Sequence, residues 1–157
     1  DSSDSSSSSG SASGATGDGA ALAAEFEKDT NNSGDYDGAY GRQCVDLSLW
    51  YVAKHTILKS SSCNGNCFVE AMKSANPQLT VIKSGVPTAP AVFSTDDHIM
   101  GRHSPSYGHT GVVVSVDSDG TIHTIETGNA AGKVWYGTYK KNEYQGARFA
   151  SVKDYLK

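Results

Sequence analysis

Residues 109–127 read HTGVVVSVDSDGTIHTIET, and this stretch decides the class of fold. Two runs rich in Val, Ile and Thr flank Asp117–Gly120, whose Asp, Ser and Gly residues favour a tight turn. The pattern predicts a β-hairpin. Outward from it, LTVI (79–82), PAVFS (90–94), KVWYGTY (133–139) and ARFAS (147–151) are also short and β-branched or aromatic, with Gly, Pro and Asp between them. Upstream the texture is helical. RQCVDLSLWYVAKHTIL (42–58) is the strongest helix, its apolar stripe being Val45, Leu49, Val52, Ala53 and Ile57. Leu22, Ala23 and Phe26 predict a short helix over about 20–28, and CFVEAMKSA (67–75) a further one that ends near Asn76-Pro77. DTNNSGDYDGAYG (29–41) is a loop by composition. Helices first and an antiparallel sheet after them make an α+β domain.

The chain has 157 residues, and its first twenty are unlike the rest. DSSDSSSSSGSASGATGDGA has no large apolar side chain, so it cannot bury enough surface to offset the entropy of ordering. It reads as a flexible linker, residues 1–20, ahead of one catalytic-sized domain, residues 21–157. Such a tract at the start suggests a piece of a longer, multi-domain protein. The linker carries three of the seventeen acids and none of the thirteen bases, which leaves thirteen bases against fourteen acids in the folded part. A near-neutral domain without a basic patch excludes nucleic acid as a partner. No apolar run approaches the ~18 residues of a membrane span, and no export signal lies within the chain.

There are three cysteines. Cys63 and Cys67 bracket Asn-Gly-Asn, a turn, and in an exported protein they read as a short disulfide. The rival reading is two reduced thiols at a zinc site, although no His or further Cys lies at metal-motif spacing. Cys44 is then the leftover thiol. Its bland reading is a small buried hydrophobe. Against that, it falls in the first turn of its helix, where unpaired N–H groups and the helix dipole favour an anion, which suits a thiolate nucleophile.

A thiolate needs a proton acceptor, usually His. His55 lies on the helix of Cys44 and is expected at the surface; His98 and His103 sit in the loop DDHIMGRHSPSYG (96–108). His109 opens a strand, a rigid place for a base. The hairpin register then sets Glu126 directly or diagonally across from His109, where a carboxylate could orient the imidazole. A zinc peptidase built on His98, His103 and His109 is disfavoured because H-E-x-x-H or any comparable spacing is missing. Asp35, Asp37 and Asp46 are raw material for a calcium site, but a lone D-x-D-G is more often only a turn. Tyr40, Tyr107 and Trp135 suit either a substrate groove or the core.

DYDGAYGRQCVDL (35–47), YGHTGVVVSV (107–116) and TIHTIETGN (121–129) together resemble the CHAP domain, the cysteine, histidine-dependent amidohydrolase/peptidase family of bacterial and bacteriophage peptidoglycan hydrolases. The resemblance implies a papain-like α+β fold with N-terminal helices packed on a C-terminal antiparallel sheet. It implies Cys44 as nucleophile, His109 as base and Glu126 as the residue that orients His109. Many members have an Asn two residues after the Glu; that position here is Gly128, and Asn129 is the nearest Asn. For some phage members it implies calcium, here on the carboxylates of Asp35, Asp37 and Asp46 and the carbonyls of Ala39 and Gly41. NlpC-type peptidases fit less well, since they usually carry D-C-S-G at the nucleophile and a second His in place of the Glu. The expected function is hydrolysis of a peptidoglycan amide bond, as amidase or endopeptidase, by a secreted, wall-associated or phage-borne, endolysin-like enzyme. Bacterial peptidoglycan and a wall-binding or catalytic domain upstream of the linker are the expected partners. The alternative is a non-catalytic wall-binding or adhesive module on the same fold.

Overall fold

The computed structural model describes residues 19–128 and 132–157. Three helices come first: α1 (Gly19–Asp29), α2 (Cys44–His55) and α3 (Phe68–Ala75). Six strands follow: β1 (Val81–Lys83), β2 (Ala91–Thr95), β3 (His109–Val116), β4 (Ile122–Glu126), β5 (Trp135–Tyr139) and β6 (Arg148–Ser151). They form one antiparallel sheet in the order β1-β6-β2-β3-β4-β5. All six correspond to segments chosen from sequence, and the α+β architecture is the one expected. The helix α1 starts at Gly19, two residues inside the tract read as linker; the rest of that tract lies outside the described residues.

Alternation along the strands sends side chains to two faces, and both faces are covered. Val92, Val112, Val114, Ile125 and Ala150 meet the helices through Phe26, Trp50, Val52, Phe68 and Met72. Ala91, Phe93, Val113, Ile122 and Phe149 point the other way and pack with Met100, Tyr144 and Ala147 from the connecting loops. This second, smaller core was not foreseen. Its loop residues come from short segments with no periodic signature.

The central helix departs from its expected stripe. Every residue from Val45 to Val52 is buried, because α2 is enclosed between α1 and the sheet. The helix stops at His55, and Ile57 lies beyond it at 69% exposure, so Ile57 is not a core residue. His55 is likewise not a free surface side chain. Its Nε2 pairs with Glu25 Oε1 at 2.6 Å, and its ring stacks on Tyr51.

Candidate active site

One contact explains how two distant stretches of chain reach each other. Ser48 Oγ and Thr110 Oγ1 lie 3.0 Å apart where α2 crosses β3. Cys44 is one helical turn before Ser48, and His109 is one residue before Thr110. The start of the helix therefore sits beside the start of the strand. Cys44 is the first helical residue, with Gln43 as its N-cap, and is the free cysteine, partly accessible to solvent. Asp46 steadies this end of the helix: its Oδ2 accepts the Gln43 N–H at 2.8 Å and its Oδ1 the Asp37 N–H at 3.1 Å.

The hairpin turn forms as expected, with Gly120 N–H donating to Asp117 O and Asp117 N–H to Thr121 O. The β3–β4 register pairs Val112 with Ile125, and a bulge falls between Val113 and Ser115. Continued to the strand ends, that register sets Gly111 opposite Glu126 and makes His109 its diagonal neighbour on the same face. Gly111 and Gly137 keep this space open, since a Cβ at either position would meet the Glu126 side chain. His109 Nε2 donates to Glu126 Oε1 at 2.7 Å, with the carboxylate wholly buried. Nδ1 is thereby left as the nitrogen available toward Cys44.

The other Glu126 oxygen accepts from Tyr139 OH at 2.7 Å and from Thr124 Oγ1. Burial opposes a charge on Glu126, yet the bonds from His109, Thr124 and Tyr139 outweigh it and hold the acid below the ordinary carboxylate range. Burial also opposes the charged imidazole of His109, but Cys44 and Glu126 together prevail and raise the ring to about 9. The two groups form a buried ion pair. Trp135 stacks on His109 with rings 5.7 Å apart and nearly parallel.

Trp135 and Tyr139 share the face of His109 through register with Glu126 and Ile122. Sequence reading left Tyr139 and Thr124 out, although the alternation Trp135-Gly137-Tyr139 carries the signal. Tyr40, Tyr107 and Trp135 line a cleft of about 1240 Å³ together with Cys44 and His109, which settles their place as groove rather than core. Asn129 lies outside the described residues. The sulfurs of Cys63 and Cys67 are bonded, and the disulfide holds a turn whose Gly65 abuts the backbone of His109.

The acidic loop also converges. Carboxylate oxygens of Asp35, Asp37 and Asp46 all lie within 4.8 Å of one another. Asp46 is pushed up to about 6, chiefly by burial and then, against two backbone N–H bonds, by the neighbouring charge of Asp37. Asp35 Oδ1 is buried with no hydrogen-bond partner. Crowded oxygen donors with an orphaned carboxylate atom fit a hard cation such as calcium. Just ahead of Cys44, Arg42 forks onto Glu27 at 2.6 and 2.7 Å and reaches Thr127 Oγ1 at 3.1 Å, tying this loop to α1 and to the end of β4.

A family model for the CHAP domain matches residues 31–128, a span that contains the acidic loop, Cys44, His109 and Glu126. No curated relative matches the chain in sequence. Among solved structures, an N-acetylmuramoyl-L-alanine amidase from Staphylococcus aureus is similar at 17% identity and a TM-score of 0.56, over 69% of this chain and 30% of that one. The structure of Ly7917 is similar at 14% identity and a TM-score of 0.49, over 69% of this chain and 53% of that one. The chain thus spans well under two thirds of either, and the likeness to the amidase is one of fold.

Proposed function

The chain belongs to the CHAP domain family, and from that premise we propose that it is a peptidoglycan hydrolase cutting an amide bond in the peptide part of the bacterial wall. The observation that carries this reading is the His109–Glu126 bond, placed beside the helix start that bears the free thiol Cys44.

Cys44 as thiolate attacks the amide carbonyl carbon, and the C–N bond breaks as the imidazolium of His109 gives its proton to the departing amine. Water then adds to the thioester and passes a proton to His109. The acid leaves and the thiol is restored. Glu126 stays ionised throughout, fixes the ring orientation and balances the imidazolium. The Cys44 backbone N–H, free at the helix start, is a donor for the oxyanion, with Gln43 the adjacent candidate for a second. Tyr139 and Thr124 keep the carboxylate in place by occupying its second oxygen.

Calcium is proposed on Asp35, Asp37 and Asp46, with the Ala39 and Gly41 carbonyls. When bound it would offset two of the three negative charges crowded there. The residues themselves shape the loop that leads into Cys44: Ala39 N–H donates to Asp37 Oδ1, and Asp46 holds Asp37 and Gln43. The setting that suits such an enzyme is extracellular, on the wall or on a phage particle.

Replacing Cys44 with Ala or Ser tests the reading. Clearing of purified cell walls should fall by about a thousandfold or more, while circular dichroism and melting temperature stay near those of the parent. Full clearing by the variant would remove the thiol mechanism. Wall binding without release of fragments by the parent, with Cys44 no more reactive to iodoacetamide than a free thiol, would instead establish the non-catalytic module.

A further inference from the structure

The chain has three arginines. Arg42 is forked onto Glu27, and Arg148 is paired with Glu70 and Asp96. Arg102 has no carboxylate within ion-pair distance among the described residues, and its Nε is buried without a hydrogen-bond partner. It lies on the wall of the catalytic cleft, its guanidinium 5.1 Å from the ring centre of Trp135, the same ring that stacks on His109. Among the described residues the one acid lining that cleft is Asp37, which belongs to the acidic loop.

The position of Arg102 is built rather than incidental. His98 N–H donates to Arg102 O at 2.7 Å and Arg102 N–H to Ile99 O at 3.1 Å, closing a tight loop. His98 and Met100 hold left-handed backbone, with φ of 67° and 57°, which turns the loop back on itself. Met100 anchors it in the second core at 3% exposure. Asp97 fastens the other side, accepting from Ser104 N–H at 2.7 Å and pairing with His103 and His98 at 3.0 and 3.2 Å. A ring face attracts the cation but offers no oxygen acceptor, so among the described residues its N–H fork has no acceptor.

We propose that Arg102 is a specificity residue that binds a carboxylate of the wall peptide as it lies in the cleft. This rests on the hydrolase reading above and names the substrate group that the site selects. A guanidinium takes a carboxylate through two parallel N–H···O bonds, and in a recessed cleft such a pair is less screened than at an open surface. Backing by Trp135 links the bound carboxylate to the wall that also positions His109. The residue acts in binding and takes no part in bond breaking.

The test uses two sets of soluble muropeptides identical except that their carboxyl groups are free acids or carboxamides. The parent should favour the free acid. In Arg102→Ala and Arg102→Gln the KM for the acid should rise about ten- to a hundredfold, with kcat changed little and the carboxamide barely affected. Arg102→Lys should recover part of the loss. Equal effects on both substrates, a fall in kcat alone, or no effect in a folded variant would each overturn the proposal. Calorimetry on the Cys44→Ala protein separates the two claims. If that protein binds the acid more tightly than the carboxamide, and adding Arg102→Gln abolishes the difference, the binding role of Arg102 stands even where the parent shows no hydrolysis. Hydrolysis by the parent without any such preference leaves the hydrolase standing and removes the role of Arg102. Neither hydrolysis nor selective binding removes both.

Discussion

At Glu126 the chemistry is set by confinement. A carboxylate with no exposed surface keeps its charge only because three donors reach it, and His109 is the one that titrates. The raised His109 has a consequence for stability. Its ordinary value is 6.5 and the folded value is about 9, so the ion pair stabilises fully below about pH 6.5 and the contribution is lost as pH climbs through about 9. The melting temperature should therefore decline between pH 7 and 9.5, and activity should fall along the same limb. Replacing Glu126 with Gln removes one of the two groups, Cys44 being the other, that raise the ring, so both declines should move to lower pH. An unchanged profile in that variant would show that the pair does not form. Glu126 could be read from sequence because the Asp117–Gly120 turn pins the hairpin. Its partner Tyr139 could not be placed across from it, because the sequence of residues 127–134 fixes no pairing register, although the alternation Trp135-Gly137-Tyr139 marks the shared face.

The elements around the site differ in how far sequence reveals them. β-Branched and aromatic content, with the turn residues between segments, found all six strands of the described residues, since each is short and bounded. The stripe assigned to α2 was too narrow: Val45, Leu49 and Val52 are buried, but so are the residues between them, because the helix is enclosed on several sides. Cys63–Cys67 was readable as a disulfide from the turn between the cysteines together with the expectation of an exported protein, but its purpose was not. The turn it closes presses Gly65 against His109, and a Cβ there would lie 2.6 Å from the His109 Cα. Gly65→Ala should lower stability by about 1–3 kcal/mol through overpacking and reduce kcat more than it raises KM. Thermal melts and steady-state kinetics on soluble fragments check both; a variant equal to the parent would mean that the turn yields easily. In the acidic loop, chelation should lower the melting temperature and calcium should restore it. In Asp46→Ala that response should disappear. A parent indifferent to chelator and calcium would leave Asp35, Asp37 and Asp46 as a turn and helix cap.

At the level of the molecule, the sheet separates two tasks. One face binds the helices and so delivers Cys44, while the other carries His109, Glu126 and the small core that holds the Arg102 loop. The proposed specificity residue and the proposed catalytic support thus grow from the same face, and the loop part was hidden in sequence because Met100 and Tyr144 have no periodic context. No helix among the described residues is long and apolar enough to cross a membrane. Thirteen bases against fourteen acids in residues 21–157 give little long-range pull toward an anionic wall. An upstream domain that holds the same polymer, joined through the Ser/Gly tract, would supply the missing local concentration. Mass spectrometry of the fragments released from a defined cell wall tests the central claim most directly. The parent should release fragments with newly freed amino and carboxyl groups at one amide position, and Cys44→Ala should release none. Fragments bearing new reducing sugar ends, or equal release by Cys44→Ala, would contradict it.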